Sequence, residues 1–205
     1  MTKNKVSKNW IQKRRKDIFF KKSKIKGYRS RSAFKLIEIN NKFKIIKKNS
    51  CLLDLGASPG GWSQVAANVI NKGKILAIDL KDMEKIETVK FVKIDINEKK
   101  FEDKLYKYFN NKIDIIISDM AANTTGDKNL DSYRTGELCL KAMELAKKIL
   151  NKDGVFLSKV FMGAAFTQVN EKAKKYFKKV IKYKPEASKS KSKELYIYCK
   201  GVLNI

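Results

Sequence analysis

The chain has 205 residues, 43% of them hydrophobic, which is the size and make-up of one folded domain and not of a disordered tail. It contains no His, which excludes Ser-His-Asp and Cys-His catalysis, His general bases and His-ligated zinc. Lys and Arg number 47 against 21 Asp and Glu, a net charge of +26, and the three scattered cysteines (Cys51, Cys139, Cys199) suit a reducing compartment and form no metal knuckle, so no metal is expected.

Residues 1–50 carry 18 basic and 2 acidic side chains, net +16. Residues 1–27 read as a basic arm that packs on a single domain of residues 28–205 through Trp10, Ile11, Ile18, Phe19 and Phe20. Arg29 to Glu38 reads as a helix, with Ser30 or Ser32 available to cap it. From residue 50, short apolar runs alternate with amphipathic stretches. Strands are expected at 51–55, 74–79, 89–94, 113–118, 154–161, 178–183 and 194–199, and helices at 62–71, 98–109, 131–150 and 166–177. Runs such as Asp114-Ile-Ile-Ile-Ser118 lack alternation, as strands covered on both faces do. The expectation is an α/β fold with a mostly parallel seven-stranded sheet and helices on both faces. Only the polar loop from Pro185 to Lys193 separates the last two strands, too little for a helical crossover, so the last strand should run antiparallel.

Charge along the chain is uneven. Residues 51–170 sit at net +2, and residues 171–205 return to net +8. A near-neutral middle with basic ends suits a folded unit with a polyanion-binding surface at its margins, whereas a solubilising lysine coat would be spread evenly. Nucleic acid is the expected partner. No run approaches ~18 apolar residues and no apolar leader opens the chain, so neither a membrane span nor a signal peptide is expected. Cytoplasm follows by default.

The sharpest local signal is Leu52-Leu-Asp-Leu-Gly-Ala-Ser-Pro-Gly-Gly-Trp62. It leaves a strand and opens a helix, at the edge where open α/β sheets bind ligands. Its G-x-x-x-G-G spacing is neither the dinucleotide G-x-G-x-x-G nor the phosphate loop G-x-x-x-x-G-K-[ST]. Gly56 and Gly60 would let the backbone lie against a ligand. Asp79 ends Ile75-Leu-Ala-Ile-Asp79, where a carboxylate can accept both ribose hydroxyls, and Asp95 ends Phe91-Val-Lys-Ile-Asp95, within reach of an adenine amino group. Either acid alone would read equally well as a helix cap or a solvated loop residue. The loop offers no Lys or Arg, so a cationic sulfonium fits it better than a pyrophosphate, and S-adenosylmethionine is the leading cofactor.

Four further polar residues stand out. Asp119 ends the fourth strand, Lys159 lies inside the apolar run Val155-Phe-Leu-Ser-Lys-Val-Phe161, Glu194 opens the last strand, and Lys35 sits on the first helix. A lysine among apolar neighbours must be paired or functional, or lie on an edge strand. Lys35 judged alone reads as a solvated face. Periodicity does not bring the four together.

The sequence resembles the FtsJ/RrmJ family of ribosomal-RNA ribose 2′-O-methyltransferases, the RlmE type, over almost its whole length. The resemblance is carried by Gly27-Tyr-Arg-Ser-Arg-Ser-Ala-Phe-Lys-Leu36, Asp54-Leu-Gly-Ala-Ser-Pro-Gly-Gly-Trp-Ser-Gln64, Ser118-Asp-Met120, Ser158-Lys-Val-Phe161 and Lys184-Pro-Glu-Ala-Ser-Lys-Ser-Lys-Ser-Lys-Glu-Leu-Tyr196. It implies that the family's Lys-Asp-Lys-Glu tetrad falls on Lys35, Asp119, Lys159 and Glu194, and its cofactor contacts on Gly60, Trp62, Asp79, Asp95 and Asp119. It further implies a Rossmann-like methyltransferase sheet and S-adenosylmethionine as donor with S-adenosylhomocysteine as product; a monomer is the default expectation. The implied substrate is the 2′-hydroxyl of a uridine in large-subunit ribosomal RNA. Two loops depart from the family pattern: Ala121-Ala-Asn-Thr-Thr-Gly126 after the fourth strand, and Met162-Gly-Ala-Ala165 after the fifth. Both should border the RNA.

A ribose hydroxyl is almost wholly protonated at neutral pH, so placement and a proton acceptor are what the enzyme must add. Lys159 is assigned that role; the alternative is a charged Lys159 that stabilises the developing alkoxide while Asp119 orients it. RNA phosphates would be met by Arg14, Arg15, Lys21, Lys22, Lys24, Arg29 and Arg31, and by Lys189, Lys191 and Lys193 beside Glu194. Rival readings fit less well. A nicotinamide oxidoreductase would need another glycine spacing. Amino-group methylation usually follows the fourth strand with an Asn/Asp-Pro-Pro-aromatic motif, and carbon-5 methylation needs a cysteine there. A non-catalytic RNA-binding module would not require the loop and the tetrad, and transfer RNA or another RNA, such as a cap structure, is the alternative substrate.

Overall fold

The computed structural model describes residues 17–98, 101–110, 113–122, 125–189 and 192–203. Helix α1 (Ile18–Ile25) precedes α2 (Ala33–Phe43), and then strands and helices alternate: β1 (Cys51–Leu55), α3 (Gly61–Ala67), β2 (Lys74–Asp79), β3 (Val89–Lys93), α4 (Phe101–Phe109), β4 (Ile113–Ser118), α5 (Lys128–Ile149), β5 (Leu150–Phe161), α6 (Ala164–Tyr176), β6 (Phe177–Tyr183) and β7 (Glu194–Val202). The seven strands form one sheet in the order β3-β2-β1-β4-β5-β7-β6. All neighbours from β3 through to β5 are parallel, and β7 runs antiparallel to both β5 and β6.

Apolar runs without alternation arise because both faces are buried and successive side chains point to opposite sides. Leu53, Leu55, Leu76, Ile78, Ile116 and Phe156 face one core, closed by Phe101, Leu105 and Phe109 of α4, by Cys139 and Met143 of α5 and by Val169 of α6. Leu52, Ile75, Ala77, Ile115, Ile117, Val155 and Leu157 face the other, closed by Leu36 and Ile39 of α2 and by Trp62 and Val65 of α3. The spacing Phe101, Leu105, Phe109 is one helical stripe at i, i+4, i+8. Cys139 and Cys199 are buried in the first core as small apolar residues.

Boundaries move where capping or pairing decides them. Helix α5 starts at Lys128, three residues before the expected 131, because Asp127 caps it by accepting from the N–H groups of Asn129 (2.8 Å) and Leu130 (3.3 Å). Helix α2 starts at Ala33 and is not capped by a serine side chain: the hydroxyls of Ser30 and Ser32 lie 2.7 Å apart and bond each other. It runs on to Phe43 and stops at Lys44, whose φ of 51° is left-handed. Helix α1 is capped by Asp17 and meets α2 through Phe19 and Phe34, ring centroids 5.7 Å apart. No helix among the described residues is long and apolar enough to cross a membrane.

Candidate active site

The carboxyl ends of β1 to β5 share one edge of the sheet, and because β7 is antiparallel its amino end lies there too. The exits of β1, β2 and β4 enclose a cleft of about 400 Å³ that includes Gly56, Ser58, Asp79, Asp95, Asp119 and Met120. Gly56 has φ +74°, and a Cβ there would sit 2.6 Å from Met120 Cγ, so only glycine lets the loop leaving β1 pass this close to the loop leaving β4. The N–H groups of Gly56 and Ala57 both donate to the carbonyl of Ile78, at 2.9 and 3.0 Å, folding the glycine loop over β2.

The three acids expected at the cofactor face this cleft. Asp79 accepts the N–H of Ser58 on Oδ2 (2.9 Å) and of Lys81 on Oδ1 (2.8 Å), and Asp95 Oδ1 accepts the N–H of Asn97 at 2.9 Å. Each carboxylate keeps acceptor capacity beyond these bonds. The lining therefore fits a cationic nucleoside ligand: three carboxylates together with apolar Ile78, Leu80, Ile96 and Leu138. Trp62 and Gly60 are placed differently. The Trp62 side chain is buried, donates from Nε1 to the carbonyl of Ser32 at 2.9 Å and leans on Tyr196, so its indole is spent on the core beneath α3. Gly60 faces Arg29.

The four polar residues meet, in two linked pairs. The register Ser118↔Ser158 sets Asp119 beside Lys159, whose Nζ is 3.0 Å from Asp119 Oδ1 and donates to the Asp119 carbonyl at 2.5 Å. Opposite Lys159 on β7 stands Tyr196, which donates from its hydroxyl to the same Asp119 Oδ1 at 2.8 Å. Two residues before it, on the same face, Glu194 pairs with Lys35 of α2 at 2.6 Å and accepts the Ser188 hydroxyl at 2.7 Å. Lys35 lies 5.7 Å from the centre of the Tyr196 ring, which joins the two pairs. Sequence reasoning missed Tyr196 and Ser188; the signal for Tyr196 was its two-residue offset from Glu194 in a strand.

Charge at this edge is finely opposed. Burial alone would raise the Asp119 carboxyl, but the ammonium groups of Lys159 and Lys35 and the Tyr196 hydroxyl outweigh it and hold Asp119 below its ordinary value. Tyr196 is held well above its own by burial and by the carboxylates of Asp119 and Glu194. Asp54, fully buried at the end of β1, is pushed up to about 7 by desolvation, with the Ser63 hydroxyl opposing and the charges of Asp119 and Asp79 adding to the rise. Its Oδ2 accepts from Ser63 at 2.7 Å, while Oδ1 has no hydrogen-bond partner among the described residues.

Of the residues expected on RNA, Lys21, Lys22, Lys24, Lys189 and Lys193 are exposed, while Arg14, Arg15 and Lys191 lie outside the described residues. Arg29 and Arg31 are occupied within the protein. Arg29 donates to three backbone carbonyls, and Arg31 binds Asp17 and the carbonyl of Ala187.

A parallel sheet with one inserted antiparallel strand, a glycine loop at its first strand and acids at successive strand ends define a methyltransferase of the Rossmann-like class. A Streptococcus mutans protein assigned as a methyltransferase and solved with S-adenosylhomocysteine has this fold, at a TM-score of 0.54 and 17% identity over 80% of this chain and 96% of its own. The chain belongs to the FtsJ-like methyltransferase family, whose pattern matches residues 28–202. It is 46% identical over 200 residues to the ribosomal RNA large subunit methyltransferase E of Pelagibacter ubique, covering 98% of each chain, and 43% identical to the same-named protein of Rickettsia akari, covering 93% and 87%. A crystal structure assigned to a ribosomal RNA methyltransferase of Plasmodium falciparum superposes at a TM-score of 0.77 with 34% identity, over 87% of this chain and all of that one.

Proposed function

We propose that this protein transfers a methyl group from S-adenosylmethionine to the 2′-hydroxyl of a ribose, that of a uridine, in large-subunit ribosomal RNA within the ribosomal subunit, acting in the cytoplasm as a monomer. One observation carries the reading: Asp119 is at once a wall of the cofactor cleft and the partner of Lys159 and Tyr196. A group that touches both compartments marks the place where donor and acceptor must meet. The names of the relatives support ribosomal RNA as the substrate class.

The cleft's three carboxylates and apolar walls would hold the cofactor, and its sulfonium supplies an already activated methyl. The remaining work falls to the chain's own residues. Lys159 spends two of its three N–H directions on Asp119, leaving one toward the ribose oxygen. It orients that hydroxyl and, in the neutral form, takes its proton. Lys35 and Glu194 form the second wall against which the ribose is seated, and Ser188 fixes the carboxylate. The exposed lysines 21, 22, 24, 189 and 193 neutralise phosphates and carry little sequence information.

The test is incubation with labelled S-adenosylmethionine and ribosomal subunits, with the label mapped by alkali digestion. A ribose-methylated position leaves the adjoining phosphodiester resistant to alkali. Label in an alkali-labile nucleotide would mean base methylation, and label appearing only with transfer RNA would move the substrate.

A further inference from the structure

Two loops wall the cofactor cleft, and they are tied together from both sides. The glycine loop leaves β1, and residues 80–86 leave β2. Facing the cleft, Ser58 links them: its N–H donates to Asp79, and its hydroxyl to the carbonyl of Asp82 at 3.1 Å. On the far side a single guanidinium does the same. Arg29 donates from Nη1 to the carbonyls of Pro59 (3.3 Å) and Glu84 (2.7 Å), and from Nη2 to that of Lys85 (2.9 Å). Arg29 is itself held in place, because its N–H donates to Gln64 Oε1 at 2.8 Å and Gln64 Nε2 donates to the carbonyl of Gly27 at 3.1 Å. Gly60, at φ +108°, completes the fit: a Cβ there would lie 2.7 Å from Arg29 Nη1. The Glu84 carboxylate, 3.9 Å away and 90% exposed, adds little.

We propose that Arg29 is a positioning residue of the cofactor cleft, whose guanidinium fixes the spacing of the glycine loop against the loop after β2 and thereby sets cofactor affinity, in place of the phosphate contact its charge suggests. Three carbonyls from two segments converge on one planar cation. That is a demand an arginine fork meets and a point-charge ammonium does not. Without the fork, the direct hydrogen bond between the glycine loop and residues 80–86, among the described residues, is that of the Ser58 hydroxyl to Asp82, and more of the cost of holding the two walls at the bound spacing falls on the ligand. The inference rests on the reading of the cleft as an S-adenosylmethionine site.

Calorimetry with S-adenosylhomocysteine on the full chain, together with poly(U) binding across a salt series, tests it. Arg29→Lys keeps the charge and loses the fork, so it should bind S-adenosylhomocysteine about 10-fold or more weakly, raise the KM for S-adenosylmethionine and leave kcat at saturating cofactor unchanged. Arg29→Gln should weaken the cofactor similarly and leave the poly(U) salt slope unaltered, and Glu84→Ala should behave as the parent. Parent-like cofactor affinity in both Arg29 variants overturns the proposal. So does an Arg29→Gln salt slope shallower by about 0.7, the mark of one lost phosphate contact. A parent protein that itself fails to bind S-adenosylhomocysteine sinks the cofactor reading, which is a separate result. If Arg29→Gln does not fold, Arg29→Lys decides alone by its KM-against-kcat split.

Discussion

Lys159 Nζ stands 3.0 Å from Asp119 Oδ1 because the register of two parallel strands, Ser118 against Ser158, delivers one to the exit of β4 and the other to the interior of β5. Both side chains are largely buried, at 9% and 18% exposure. A buried pair of this kind is costly to break from one side, since the charge left behind has no compensation. Its presence at the cleft, where an apolar pair would be no less stable, argues for a chemical use.

Lys159→Met should therefore lower the rate of methyl transfer by about 10²-fold or more, the usual worth of a positioned proton-transfer group. Cofactor binding should stay near the parent's, because Lys159 does not line the cleft. Single-turnover methylation and calorimetry in parallel check both halves. Methylation within twofold of the parent would remove Lys159 from the chemistry.

Tyr196→Phe deletes the hydroxyl that donates to Asp119 Oδ1 at 2.8 Å and keeps the ring against Trp62. The variant should lose about 1.5–3 kcal/mol in denaturant unfolding, the worth of one hydrogen bond to a charged acceptor, since Lys159 Nζ still reaches the same oxygen. Activity should fall about 10-fold, because Lys159 then alone holds the carboxylate in place.

Two carboxyls at this edge act on stability in opposite senses. Asp54, pushed up to about 7 by burial against an unfolded value of about 3.9, keeps its proton while the unfolded chain loses it. Its contribution thus favours unfolding increasingly from about pH 4 to 7 and levels off above. Asp119, held below its ordinary value, contributes stability that is present above about pH 4 and fades as pH falls through its folded value. Asp54→Asn should flatten the decline between pH 4 and 7, a difference of order 4 kcal/mol at most. Urea unfolding across that range measures it, and unchanged slopes would show that Asp54 is ionised throughout.

Lys189 and Lys193 are exposed on the loop that ends at Glu194. Replacing both with Ala should weaken RNA binding and reduce the salt slope by roughly 1.4 to 1.8, two phosphate contacts' worth. Cofactor affinity should not change. Filter binding of a ribosomal RNA fragment over a salt series gives the slope.

Much of the architecture was legible because covered strands and amphipathic helices write their burial into local periodicity. The apolar run at Asp114 to Ser118, the stripe Phe101, Leu105, Phe109 and the short link before Glu194 each point to one arrangement. The ends of elements were less legible: α5 begins where the Asp127 side chain happens to cap it, and β5 reaches back to Leu150. The glycine loop and the acids Asp79, Asp95 and Asp119 could be singled out because they stand at strand ends, where such sheets bind ligands.

The sequence by itself determined which faces are buried, where the chain turns and which unusual polar groups must find partners, since these depend on neighbours within a few residues. Only the tertiary structure decided who those partners are. Insertion of β7 between β5 and β6 sets Tyr196 and Glu194 at the same edge as Lys159 and Asp119, and that order is a matter of long-range pairing which no local period records. The same holds for Arg29 and Arg31, alike with their neighbours in charge: whether a cation meets solvent or a backbone carbonyl depends on which distant segment folds against it.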